Sequence, residues 1–69
     1  MELIIEDMTC ARCAQHITGA IEALDSAAQI TIDLGAHRVA VHTSAPPSAV
    51  LSAIEQTGYR PQLRDAGAA

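Results

Sequence analysis

An α+β fold of order βαββαβ, four antiparallel strands with two helices on one face, is what this sequence predicts. Three observations lead there. Apolar residues recur at helical spacing in two separate stretches, they alternate with polar residues through a hairpin between those stretches, and a short extended segment stands at each end. Sixty-nine residues make one domain with a small core.

Leu3-Ile4-Ile5-Glu6 reads as the first strand. Cys13, Ile17, Ala20, Ile21 and Leu24 then form the apolar stripe of an amphipathic helix. Thr9 is the expected N-cap, Gly19 belongs on the exposed side, and Asp25-Ser26-Ala27-Ala28 ends the helix. Ile30, Ile32 and Leu34 alternate with Thr31 and Asp33, the pattern of a half-buried strand. Gly35-Ala36-His37 is a tight connection into a returning strand, Arg38-Val39-Ala40-Val41-His42. Ser44-Ala45-Pro46-Pro47-Ser48 opens a second helix, since proline is tolerated in a first turn, and Val50, Leu51 and Ile54 are its stripe. Gly58 suits the position just past its end. Arg60-Pro61-Gln62-Leu63-Arg64 reads as a weak last strand, confined to a sheet edge by Pro61. The domain thus spans residues 1–64, and residues 65–69, Asp-Ala-Gly-Ala-Ala, read as a frayed tail. A split, ferredoxin-like arrangement puts the first strand inside the sheet. It gathers the turn holding Cys10, the hairpin at Gly35–His37 and the loop at Gly58-Tyr59 at one end, and sends His42 to the other.

Composition narrows the function classes. Eight acidic residues against four arginines give a formal charge of −4, which argues against nucleic acid or an anionic membrane as partner. The longest apolar run is too short to span a bilayer. The N-terminus lacks the basic region and cleavage site of an export signal. A cytoplasmic protein of a reducing compartment, with free thiols, is therefore expected. Met1 at the start and a small polar tail point to a free-standing protein.

The chemistry is concentrated in Met8-Thr9-Cys10-Ala11-Arg12-Cys13, which holds the only two cysteines. Two thiolates at a strand-to-helix junction can chelate a soft cation, and soft sulfur ligands select Cu(I) where oxygen ligands favour harder ions. Cys13, at a helix start beside Arg12, is expected to ionise readily because dipole and guanidinium both favour its thiolate. Two other readings of Cys-x-x-Cys are a redox dithiol and half of a zinc site. A thioredoxin-like framework needs a longer chain, and structural zinc takes four ligands where this sequence has one cysteine pair. Asp7 and His16 are spaced so that they could add donors. The simpler reading makes Asp7 a solvated loop carboxylate or a cap and His16 a helix-surface residue. Met8 reads as an apolar anchor for the loop rather than a thioether ligand, and His37 as a solvent residue on a peripheral hairpin. With no nucleophile–base pair or acid–base dyad, an enzyme is not expected.

In this context Met-Thr-Cys-x-x-Cys after a first strand resembles the heavy-metal-associated domain family. Small bacterial copper chaperones of the CopZ type and the N-terminal modules of copper-transporting P-type ATPases belong to it. Met8, Thr9, Cys10, Cys13 and the Gly58-Tyr59 pair carry the resemblance, which covers Glu2 to about Arg64. One departure is Asp7, where the family usually has glycine; Asp tolerates turn conformations better than most residues.

The resemblance implies a Cu(I) carrier with Cys10 and Cys13 as ligands, Met8 as a packing residue, and Thr9, Arg12 and Tyr59 shaping the site. Zinc-transporting members carry aspartate directly before the first cysteine; Thr9 stands there in this chain, which favours copper over Zn(II). The implied partner is the metal-binding domain of a copper-transporting P-type ATPase or a copper-responsive regulator, with a copper-bridged homodimer as a further arrangement. The alternatives are a regulatory metal-binding domain excised from a P-type ATPase, and a zinc or mercury carrier.

Overall fold

The computed structural model describes residues 1–64; the expectation for the tail falls on residues 65–69, outside the described residues. The elements follow in the order β1 (Glu2–Ile5), α1 (Ala11–Leu24), β2 (Gln29–Asp33), β3 (Arg38–His42), α2 (Pro47–Glu55) and β4 (Pro61–Leu63). The strands form one antiparallel sheet in the order β2-β3-β1-β4. β1 is therefore interior, pairing Leu3 with Val39 on one side and with Leu63 on the other. Pro61 sits on the edge strand opposite Ile5, where a missing N–H costs least.

The core is built from alternate residues of the central strands and one stripe of each helix. Leu3 and Ile5 from β1, Val39 and Val41 from β3, Ile17 and Ile21 from α1, and Val50 and Ile54 from α2 are buried. Met8 joins them from the loop. Burying each such side chain is worth about 1.5–3 kcal/mol, and no polar side chain shares this interior among the described residues. No described helix is long and apolar enough to cross a membrane.

Two apolar residues depart from the expected stripes. Leu24, the last residue of α1, is 41% exposed, because it lies with Ala20, Ala23 and Ala53 in an open groove rather than on the sheet. Leu34 is 36% exposed, because β2 stops at Asp33 and the chain is already turning. That turn closes with the His37 N–H donating to the Leu34 carbonyl at 3.2 Å, and the Ala36 N–H donating to Asp33 Oδ1 at 3.2 Å. His37 takes the left-handed conformation, φ 54°, which returns the chain as β3. Gly19 faces open space, as its position on the helix predicts.

At the end of α2 the Gly58 N–H donates to the Glu55 carbonyl at 3.0 Å. Gly58 has φ +100°, a conformation that side chains disfavour, and this reversal delivers Tyr59 to the end of the molecule where α1 begins.

Candidate metal centre

Met8 fixes the loop between β1 and α1. Its side chain is fully buried and its N–H donates to the Ile5 carbonyl at 3.0 Å. Thr9 and Cys10, immediately after it, are exposed. The chain is thus pinned one residue before the motif and open to solvent within it.

α1 starts one residue later than a Thr9 cap would place it. Cys10, extended at φ −147° and ψ 166°, is the N-cap. Its sulfur accepts from the Cys13 N–H at 3.4 Å, as a serine hydroxyl does at this position. A sulfur three residues before the third helical N–H reaches it, whereas Thr9, a residue further back, does not. The Ala14 N–H completes the turn on the Cys10 carbonyl at 3.1 Å. One consequence is that the two sulfurs stand 2.9 Å apart, Cys10 exposed and Cys13 half-buried.

The Cys13 thiol is pulled down from its ordinary 9.0 to about 7. The Cys10 thiol, donating to the Cys13 sulfur, is the largest cause, followed by the Tyr59 hydroxyl and the backbone N–H of Thr9. The expectation that Arg12 drives this shift is not met, because Arg12 is exposed and is not among the groups acting on the sulfur. Donors that touch a sulfur outweigh a solvated guanidinium whose field is screened by water. The same bond pushes Tyr59 up to about 12, since the phenol must surrender the proton it donates to Cys13, and burial and the charges of Cys13, Cys10 and Asp7 oppose a second anion.

The other candidates separate cleanly. Asp7 is an exposed loop carboxylate whose Oδ1 accepts from the Arg60 N–H at 3.3 Å, so β1's turn and the loop of Tyr59 are tied together. His16 is exposed on α1, and among the described residues no three His, Cys, Asp or Glu side chains converge as a metal cluster. His37 is not the solvent residue expected from its hairpin. It is half-buried, and its Nδ1 lies 3.1 Å from the Met8 carbonyl. A carbonyl only accepts, so Nδ1 carries the proton. Topology places the two loops together, but no sequence spacing pairs a ring nitrogen with one particular carbonyl 29 residues away.

Copper-transporting ATPase 1 of Rhizobium meliloti (strain 1021) is 43% identical over 61 residues, which is 86% of this chain and 7% of the ATPase. The chain therefore spans a small fraction of that relative's length. Among solved structures, a gold binding protein superposes with a TM-score of 0.90 at 33% identity, covering 93% of this chain and 98% of the other. The copper chaperone Atx1 from Synechocystis PCC6803 shares the fold, with a TM-score of 0.88 at 24% identity, over 90% of this chain and 98% of that one. Residues 2–60 match the profile of the heavy-metal-associated domain, and with two free thiols, one exposed and one half-buried, held at the head of α1, the chain belongs to that family.

Proposed function

We propose that this domain carries Cu(I) between Cys10 and Cys13 and passes it by ligand exchange to another pair of thiolates. The observation that carries the reading is the pair of sulfurs 2.9 Å apart at the open end of the molecule, with no third donor converging on them among the described residues. Cu(I) is satisfied by two thiolates, whereas Zn(II) takes four ligands. The likeness to a copper-transporting ATPase and to a gold binding protein supports a soft cation as cargo.

Loading begins at Cys13, because a site that ionises near 7 is about half thiolate at neutral pH, far more than an ordinary thiol at 9.0. Two metal–sulfur bonds of about 2.3 Å, set in line, span about 4.6 Å. The sulfurs must therefore part, and exposed Cys10 is the one free to swing outward. A third thiolate from a partner enters on that open side before Cys10 departs, in the manner of thiol exchange. Met8 anchors the loop, and Thr9 and Tyr59 present donors to the Cys13 sulfur. The work is transfer, not catalysis, and its setting is the reducing cytoplasm.

The receiving domain is proposed to be a metal-binding module of a copper-transporting P-type ATPase or a copper-responsive regulator. A second reading, that this chain is itself such a module within a transporter, is favoured by its match to a short stretch of the ATPase.

Anaerobic competition of the protein with chelators for Cu(I) and for Zn(II) tests the proposal. One Cu(I) per monomer is expected, lost on Cys10→Ser or Cys13→Ser and unchanged by His16→Ala or Asp7→Asn. Tight Zn(II) binding that depends on Asp7 or His16 would overturn it.

A further inference from the structure

The two edges of the sheet meet solvent differently. β4 is three residues long and begins with Pro61, which has no N–H to offer a neighbouring strand. β2 carries no proline, glycine or lysine, and its five residues pair with β3 one for one, without a bulge. Apart from Asp33 at its end, it has none of the devices that blunt an edge, and no strand lies beyond it among the described residues. The direction of its backbone groups follows from β3. The Val41 N–H donates to the Met1 carbonyl at 2.8 Å, and the Val41 carbonyl accepts from the Met1 amine at 3.0 Å. Val41 and Val39 therefore face β1, while Arg38, Ala40 and His42 face β2. Their partners Gln29, Thr31 and Asp33 turn inward, which leaves the backbone groups of Ile30 and Ile32 directed at solvent.

Such an edge is complementary to itself. Antiparallel pairing with a second copy about a two-fold axis at Thr31 sets Ile30 opposite Ile32 of that copy, each pair exchanging both backbone bonds. Only this symmetric register pairs every residue of the strand, and a slip of one residue would set core-side chains against open-face ones. The side chains agree with it. Ile30 and Ile32 are half-buried against the core, and each meets an isoleucine of the second copy. Exposed Thr31 meets its own counterpart on the open face. Gln29 stands opposite Asp33, whose Oδ1 is taken by the Ala36 N–H and whose second oxygen is left for the amide. We propose that β2 is a homodimerisation edge, through which two copies of this chain join their sheets into one. The Asp33 end of β2 leads into the turn whose His37 reaches the Met8 carbonyl, so the antiparallel join sends the two dithiols to opposite ends of the shared sheet. This dimer forms without metal, keeps both cysteine pairs open, and is distinct from one bridged by copper. It rests on a few backbone bonds between chains of net charge −4, and is a weak, transient association with Kd on the order of 1 mM.

The test is sedimentation of the metal-free, thiol-reduced protein from about 0.05 to about 2 mM, a range that brackets such a Kd, with amide hydrogen exchange on the same samples. At the upper concentration the Ile30 and Ile32 amides should exchange about two- to threefold more slowly, a limit set by the remaining monomer. Thr31, already bonded within the sheet, should stay constant. Thr31→Lys sets like charges against each other on the axis and should abolish the association, even though it reduces the repulsion between the chains as wholes. Thr31→Glu should abolish it too, and an equal mixture of the two variants should restore a dimer at least as strong as the wild type's. Gln62→Lys, on the opposite edge strand, should change nothing. A wild type that stays monomeric throughout, a Lys variant that still associates, a mixture that fails to recover, or equal loss with Gln62→Lys overturns the proposal. No metal is present in any arm, so the Cu(I) reading stands or falls separately.

Discussion

The Tyr59 hydroxyl donates to the Cys13 sulfur, joining the loop after α2 to the first turn of α1. Each group displaces the other's titration, the thiol downward to about 7 and the phenol upward to about 12. The site is therefore one proton network shared by two loops, and either partner can be used to read the other.

Tyr59→Phe removes a donor from the thiolate while keeping the ring. The Cys13 midpoint should climb from about 7 part of the way toward 9.0, with the Cys10 thiol still holding it below that limit. Ultraviolet thiolate absorbance against pH measures this. Stability follows the same sign. A folded value below the ordinary one gives a contribution that is complete above 9.0 and disappears as pH falls through about 7. Chemical denaturation across that window should show a smaller pH dependence in the Phe variant.

Cys13→Ser probes the reverse direction. Without a thiolate to bond and oppose, the Tyr59 phenol should titrate lower, moving from about 12 toward its ordinary 10.0. Phenolate absorbance at high pH reports it, and an unmoved midpoint would contradict the bond.

Met8 distinguishes anchor from ligand. Its side chain is fully buried, so Met8→Ala should cost about 2–5 kcal/mol, enough to approach unfolding in a domain whose core supplies about 3–5 kcal/mol. Met8→Leu should cost less than about 1.5 kcal/mol and leave Cu(I) affinity intact. Urea unfolding and a chelator titration on the same samples check both statements.

Gly58→Ala introduces a side chain at φ +100°. No atom obstructs it, so the cost is backbone strain alone, about 1–2 kcal/mol. If the reversal relaxes, Tyr59 should withdraw and the Cys13 midpoint rise as in the Phe variant.

The periodicities of the sequence carried the architecture. Ile17 and Ile21, or Val39 and Val41, face the core because helix and strand spacing leave them nowhere else to go. The motif likewise marked where the thiols lie. What spacing could not reveal were contacts set by exact loop geometry. Cys10 caps the helix in place of Thr9 because the chain enters α1 one residue later. Leu24 ends its helix at an open groove, although its spacing continues the stripe. Asp7 and His37 each find a backbone partner on a different loop, a pairing that only the folded turns decide. Arg12 shows the converse, since adjacency in sequence did not bring its charge to bear on Cys13.

The protein has one tyrosine and neither tryptophan nor phenylalanine, and that single ring stands against the inner sulfur. Its fluorescence accordingly has no background from the rest of the molecule. Heavy-ion arrival, thiol alkylation or handover to an acceptor should each alter the emission directly, so the domain comes with a label-free optical gauge placed by nature at the cargo's doorway.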